Sequence, residues 1–248
     1  MADSWTLVQG ASRGLGFTLS ALLAERGAHV FATAREPAAS AELLTLAQQH
    51  PGRVVLCPLD VRDEASIVAA VETLAQHTRS LDLVLNVAGV LNGNGRPPER
   101  RIEDLDPAAM ADAFATNAIG PLVLARHLYP YLKHDGRAVF ATLSARVGSI
   151  SDNAIGGWYS VRASKAAQNQ LLKTLSIELQ RRAKNVICVA LHPGTVDTDM
   201  SKPFQRTVAP GKLFSRERAA RQLLDIVDGL TAEDTGSFIA WDGQRIPW

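Results

Sequence analysis

Residues 5–16 read Trp5-Thr6-Leu7-Val8-Gln9-Gly10-Ala11-Ser12-Arg13-Gly14-Leu15-Gly16, and the reading of this stretch decides the fold. An apolar, β-branched run predicts a strand over 5–9. It breaks at closely spaced glycines and passes directly into an apolar helical pattern over 15–26. Glycines between a strand and a helix allow a tight turn and let bare backbone approach a pyrophosphate, whose charge suits the N–H groups at a helix start. Gly10, Ser12, Arg13, Gly14, Leu15 and Gly16 are therefore candidate dinucleotide contacts.

The same alternation continues along the chain. Strands are expected over 29–34, 53–59, 83–86, 138–142, 185–191 and 237–241, and helices over 41–49, 64–77, 107–134, 158–182 and 215–228. Runs that are apolar on both faces and joined by helices predict an α/β, doubly wound (Rossmann), mostly parallel sheet of seven strands with helices on both sides. Two connections exceed a simple turn, 90–106 and 199–214. Ligands bind outside the carboxyl ends of such strands, so 199–214 is the expected substrate lid.

At 248 residues without a composition break, the chain is expected to form one domain over 1–248. A net charge of +1 gives no basic field for a nucleic acid or an acidic membrane, so neither is an expected partner. Cys57 and Cys188 sit in apolar runs and read as buried thiols, with no metal site expected. The opening MADSWTLV lacks the charged and apolar regions of a secretory leader, which makes cytoplasm the default expectation.

The second strand ends in Thr33-Ala34-Arg35. A carboxylate there would accept from a ribose 2′-hydroxyl and favour NAD. Arg35 instead offers a planar, permanently charged fork to a 2′-phosphate, and Arg13 can approach the same group, so NADP(H) is the expected cofactor.

The Gly-x-x-x-Gly-x-Gly spacing of Gly10, Gly14 and Gly16 resembles the short-chain dehydrogenase/reductase family, which usually has a threonine where this chain has Gln9. Leu59-Asp60-Val61 is similar to that family's adenine-contacting segment. Asn86-Val87-Ala88-Gly89 matches its Asn-x-Ala-Gly motif, and Pro193-Gly194-Thr195-Val196-Asp197-Thr198 resembles its nicotinamide loop. The resemblance implies cofactor contacts at Asp60, Val61, Asn86, Ala88, Gly89, Pro193, Gly194, Val196 and Thr198.

Reduction of a carbonyl leaves an alkoxide that needs a proton. The family takes it from a tyrosine four residues before a lysine, one helical turn away on the same face. Here the segment is Trp158-Tyr159-Ser160-Val161-Arg162-Ala163-Ser164-Lys165, and the tyrosine's position holds Val161. Lys165 is retained as a catalytic and cofactor-binding candidate. Tyr159 lies six residues before it, roughly 240° around a regular helix, and reads either as a substitute donor or as a packing residue. The family's carbonyl-polarising serine falls on Ala145, with Ser144 ranked ahead of Ser149 as its stand-in. Asn117 matches the helix asparagine that the family uses to support a lysine-linked water chain.

Residues 143–165 and the closing Asp242-Gly243-Gln244-Arg245-Ile246-Pro247-Trp248 resemble the subgroup containing bacterial C-factor and the insect sniffer-type carbonyl reductases. Two readings follow. One is an NADP(H)-dependent oxidoreductase for a carbonyl or quinone, its proton coming from Tyr159, a serine or water. The other is a catalytically silent NADP(H)-binding signalling or scaffold protein. The resemblance also implies a homodimer or homotetramer built on helices 107–134 and 158–182.

Overall fold

The computed structural model describes residues 4–248; the first three residues of the N-terminal reading lie outside them. Seven parallel strands form one sheet in the order β3-β2-β1-β4-β5-β6-β9. They are β1 (Trp5–Gln9), β2 (His29–Ala34), β3 (Val54–Pro58), β4 (Leu83–Asn86), β5 (Ala138–Leu143), β6 (Val186–His192) and β9 (Ser237–Ala240). The order reverses between β1 and β4, which opens the crevice at the strands' carboxyl ends where ligands bind.

Side chains alternate across each strand, so one run feeds two cores. Val139, Ala141 and Leu143 of β5 point to the face covered by α1 (Gly14–Glu25), α2 (Ala41–Gln49) and α7 (Arg216–Gly229). Ala138 and Phe140 point to the face covered by α3 (Glu64–Leu74), α4 (Pro107–Phe114), α5 (Gly120–Leu132) and α6 (Tyr159–Arg182). The two free cysteines, Cys57 and Cys188, are buried in this second core. Burial of this kind on both faces explains why the strands are apolar throughout.

The expected doubly wound seven-stranded sheet is present, and its strands all run parallel, because every strand connection crosses over through a helical layer. Two expectations are corrected. The helix expected over 107–134 is interrupted by a π turn at Ala115–Ile119 that joins α4 to α5. Such a turn inserts one residue into the i to i−4 ladder, which apolar periodicity does not register. Finally, 199–214 is not a plain loop. A two-stranded parallel ribbon, β7 (Thr195–Val196) with β8 (Leu213–Phe214), ties its ends together, and Lys202–Thr207 forms a 3₁₀ helix within it.

The stretch Pro107–Leu132 is long and apolar enough to cross a membrane by composition, but half of it is buried inside the fold, as befits a helix covering a sheet. Phe140 is among the largest fully enclosed residues of that face. Phe140→Ala is expected to lower stability by about 3–5 kcal/mol, read as a lower urea midpoint at an unchanged slope.

Candidate active site

The β1–α1 turn is built by a close approach. A Cβ on Gly16 would lie 2.1 Å from the Gly10 carbonyl oxygen, and Gly10 itself has φ +87° with Ala88 against it. The Gly10 and Ala11 amides both donate to the Thr33 carbonyl (2.9 and 2.8 Å), which locks the turn to β2. Gln9, where the family carries threonine, is buried and accepts the Ala88 amide through Oε1 (3.1 Å). Its longer amide thus bridges the turn to the Asn86–Gly89 motif on the neighbouring strand.

Helix α1 starts at Gly14 with no side-chain cap and no acidic residue in its first turn. Its unpaired N–H groups and the positive end of its dipole therefore face the crevice. A Cβ on Gly14 would meet only Thr198, at 3.4 Å, so a bare cradle lies between the glycine turn and the 193–198 segment. That cradle fits a dinucleotide's pyrophosphate. Arg35 is exposed at the end of β2, and Arg13 lies 3.9 Å from Asp199 at the start of the lid. Asp60 carries an ion pair to Arg62 (2.8 Å), and Arg62 also reaches Asp112 (3.0 Å). Arg62 accordingly holds the Asp60 carboxyl below its ordinary range. Val61 is buried at the same strand end.

Lys165 is buried on α6. Its Nζ donates to the Leu143 carbonyl (2.7 Å) and to Gln168 Oε1 (3.0 Å). Gln168 Nε2 donates to Thr142 Oγ1 (2.5 Å), and Asn86 Nδ2 donates to the same oxygen (3.1 Å). Asn86 Oδ1 is buried with no hydrogen bond among the described residues. Burial pushes the lysine's pKa down from 10.5 to about 7. Gln168 was missed by sequence reading, although its place three residues after Lys165 marks a polar group on the same helix face.

Asn117 sits in the π turn, fully enclosed. Its Oδ1 accepts the Val90 amide (2.8 Å), while Nδ2 donates to the Val90 carbonyl (2.9 Å) and to Ser164 Oγ (2.9 Å). A Cβ on Gly89 would lie 3.1 Å from Asn117 Oδ1 and 3.4 Å from Lys165 Nζ. The structure therefore brings Asn117, Lys165 and the Asn86–Gly89 motif to one point, and only a glycine leaves that point open.

The other candidate donors stand apart from it. Tyr159 opens α6, is 38% exposed, and its hydroxyl has no hydrogen bond among the described residues. Val161 is buried. Ser144 Oγ donates to Asn169 Oδ1 (2.7 Å), facing α6, and Ser149 Oγ accepts the Asp152 amide (3.2 Å). Trp158 precedes the helix in a left-handed conformation (φ 53°) and packs edge-on against Phe204 of the lid at 5.1 Å. Buried Glu99 bonds the Ser160 amide and hydroxyl, fixing the helix start.

Beside the 193–198 segment lies a cavity of about 280 Å³, lined by residues that include Arg146, His192, Lys212, Phe214 and Trp241. His192 Nδ1 has no partner among the described residues. Burial, reinforced by Arg146, lowers its pKa to about 4, so the ring is neutral at neutral pH. The lid's return strand thus forms one wall of a space large enough for a small substrate.

A family model described as short chain dehydrogenase matches residues 4–209. C-signal of Myxococcus xanthus is 34% identical over 171 residues, covering 69% of this chain and 95% of that protein. Among solved structures, NADPH-bound carbonyl reductase from chicken fatty liver superposes with a TM-score of 0.88 at 32% identity, covering 100% of both chains. Carbonyl reductase Sniffer of D. melanogaster gives 0.86 at 28% identity, again over 100% of both.

Two outcomes test this geometry. Gln9→Ala is expected to cost about 1 kcal/mol in urea unfolding, because the Ala88 amide loses its side-chain acceptor and keeps only the longer bond to the Gln9 carbonyl (3.3 Å). Lys165 is held at about 7 when folded against 10.5 ordinarily, so between those values the unfolded chain binds more protons and stability rises with pH. Thermal melts of Lys165→Met should lack this rise, and its advantage over the parent should shrink steadily as pH is raised from 7 towards 10.5.

Proposed function

This chain belongs to the short-chain dehydrogenases/reductases, and on that footing we propose that it is an NADP(H)-dependent oxidoreductase acting on a carbonyl or quinone, with an active site that works without the family's tyrosine. The observation that carries this reading is the intact cradle: the bare Gly10–Gly16 turn, the uncapped α1 and Lys165 beneath Gly89. No carboxylate occupies the end of β2, and Arg13 and Arg35 suit a 2′-phosphate. The NADPH-bound reductase among the structural relatives supports the same cofactor.

When bound, NADPH supplies a hydride to the carbonyl carbon. The chain's own part is to bind, orient and protonate. Gly10 to Gly16 and Thr198 would hold the pyrophosphate, and Arg13 and Arg35 would grip the 2′-phosphate. Lys165 would reach the ribose beside Gly89. The substrate would enter beside the lid, whose return at Lys212 and Phe214 lines the cavity and whose Phe204 packs on Trp158 at the start of α6. Quinones suit such a site, because their reduced oxygens are less basic than an alkoxide and need less acid assistance.

The second reading, a silent cofactor-binding signalling or scaffold protein, is favoured by buried Val161 and by the commitment of Ser144 to Asn169. We propose a cytoplasmic homodimer or homotetramer built on the helical stretches 107–134 and 158–182, where Ile119 of the π turn and Ile177 of α6 are exposed.

NADPH consumption against aldehydes, ketones and quinones, run for the parent and Val161→Tyr, separates the readings. The parent is expected to turn over slowly, with Val161→Tyr faster by up to about 10²-fold on aldehydes and less on quinones. Turnover by the variant alone would leave the parent a cofactor binder. Arg35→Asp is expected to weaken NADPH binding at least about tenfold while leaving NADH binding unchanged, read by nicotinamide fluorescence.

A further inference from the structure

The cavity beside the 193–198 segment has a charge pattern that a wholly hydrophobic substrate would not need. Its lining is mostly polar, and the cations Arg146 and Lys212 stand exposed around it with the carboxylate Asp242. His192 is partly buried and neutral at neutral pH, so it adds no charge. Two further charges stand close by and offset each other: Asp152 pairs with Arg146 (3.0 Å), and the Arg218 guanidinium lies 3.9 Å over the Phe214 ring. The cavity therefore carries one positive charge in excess. The lid that borders it has the same sign, because residues 200–216 include Lys202, Arg206, Lys212 and Arg216 and no acid. Of these, Lys202 is engaged with Asp199.

We propose that this cavity selects substrates whose reactive carbonyl or quinone is joined to a single carboxylate, and that Lys212 is the residue that recognises the anion. The proposal rests on the reductase reading above and names the substrate class for the same site. Lys212 is placed by two contacts. The residues after it, Leu213 and Phe214, pair with Thr195 and Val196 in the β7–β8 ribbon, which fixes its backbone beside the segment expected to hold the nicotinamide. Its Nζ then stands 5.4 Å from the centre of the Trp241 ring. An aromatic face attracts an ammonium through its quadrupole without taking up the three N–H donors as an oxygen would. Nζ has no hydrogen bond or ion pair among the described residues, so those donors are available to a ligand.

Arg146 is the weaker anchor, since Asp152 already takes up part of its guanidinium. Asp242, whose Oδ1 accepts the Gln244 amide (3.2 Å), sets the upper limit on the ligand's charge. One carboxylate brings the cavity to neutrality, whereas a dianion would leave a charge facing Asp242 with no cation to offset it. Gly194 and Thr195 border the cavity from the nicotinamide segment. A carbonyl on that side and a carboxylate at Lys212 are therefore compatible with one small molecule in about 280 Å³.

The test has a readout that does not depend on turnover. Calorimetry with the NADP⁺-loaded protein compares benzoate with benzamide, which differ in charge and little in shape. NADPH consumption compares 4-formylbenzoate with 4-formylbenzamide in the parent, Lys212→Gln and Lys212→Arg. Taking the ratio of the two substrates in each protein cancels their intrinsic reactivity. The expected result is benzoate binding about fivefold tighter than benzamide, with a matching acid-over-amide preference in kcat/KM that resides in KM. Lys212→Gln should abolish both preferences, Lys212→Arg should keep them, and added salt should erode them. Benzoate should inhibit reduction of 4-formylbenzoate competitively, as a substrate's own carboxylate requires. Equal binding of benzoate and benzamide, a ratio unchanged in Lys212→Gln, or noncompetitive inhibition by benzoate as a separate anion would overturn the proposal and leave the reductase reading standing. An NADPH-binding parent that reduces neither aldehyde nor phenanthrenequinone would overturn the reductase reading and the substrate assignment with it.

Discussion

Everything at the carboxyl edge of this sheet depends on how closely α1 can approach the end of β1. The Gly10 carbonyl oxygen occupies the space that a Cβ on residue 16 would need, and Gly10 is itself pressed against Ala88 from the next strand. Any side chain at these points would lever the helix away from the sheet. The helix's unpaired amides would then no longer face the crevice, and the contact of Gln9 with the Ala88 amide would open. Repulsion at short range is steep while the attraction of an anion to a helix start is worth about 0.3–2 kcal/mol, so the steric constraint decides the geometry and the electrostatics then exploit it.

The second organising feature is a polar chain in a place where apolar packing would be expected. From Asn86 through Thr142 and Gln168 to Lys165, hydrogen bonds run beneath the end of β5. Burying an ammonium without a counter-ion is costly, and the group lowers that cost by binding its proton more weakly. Such an arrangement does little for stability. It does hold Lys165 Nζ close to the bare backbone of Gly89, backed by the Asn117 bridge between Val90 and Ser164.

Much of this was legible beforehand. The glycine spacing after β1, the apolar runs and Lys165 could all be read from residue types at fixed separations, because those patterns encode local backbone geometry and helix faces. The π turn at Ala115–Ile119 could not, since one inserted residue hardly disturbs apolar periodicity. The β7–β8 ribbon was equally hidden. Two residues paired with two others eighteen positions on carry no pattern of their own, and the pairing exists because Thr195 and Leu213 are brought together by the folded lid. The residue type at position 9 does not reveal its partner either, and only the fold shows Gln9 reaching the Ala88 amide just beyond β4.

The sequence by itself determined the doubly wound fold, the position of the cofactor cradle and the absence of a tyrosine at residue 161, because each is a matter of which residue stands where along one strand or one helical turn. Tertiary structure alone decided what surrounds Lys165. The Leu143 carbonyl meets it from β5, more than twenty positions away, Thr142 of the same strand holds the Gln168 that bonds it, and Gly89 meets it from the end of β4. A proton's affinity for an amine depends on the dielectric and the partners around that atom, and those are set by packing between elements rather than by order along the chain.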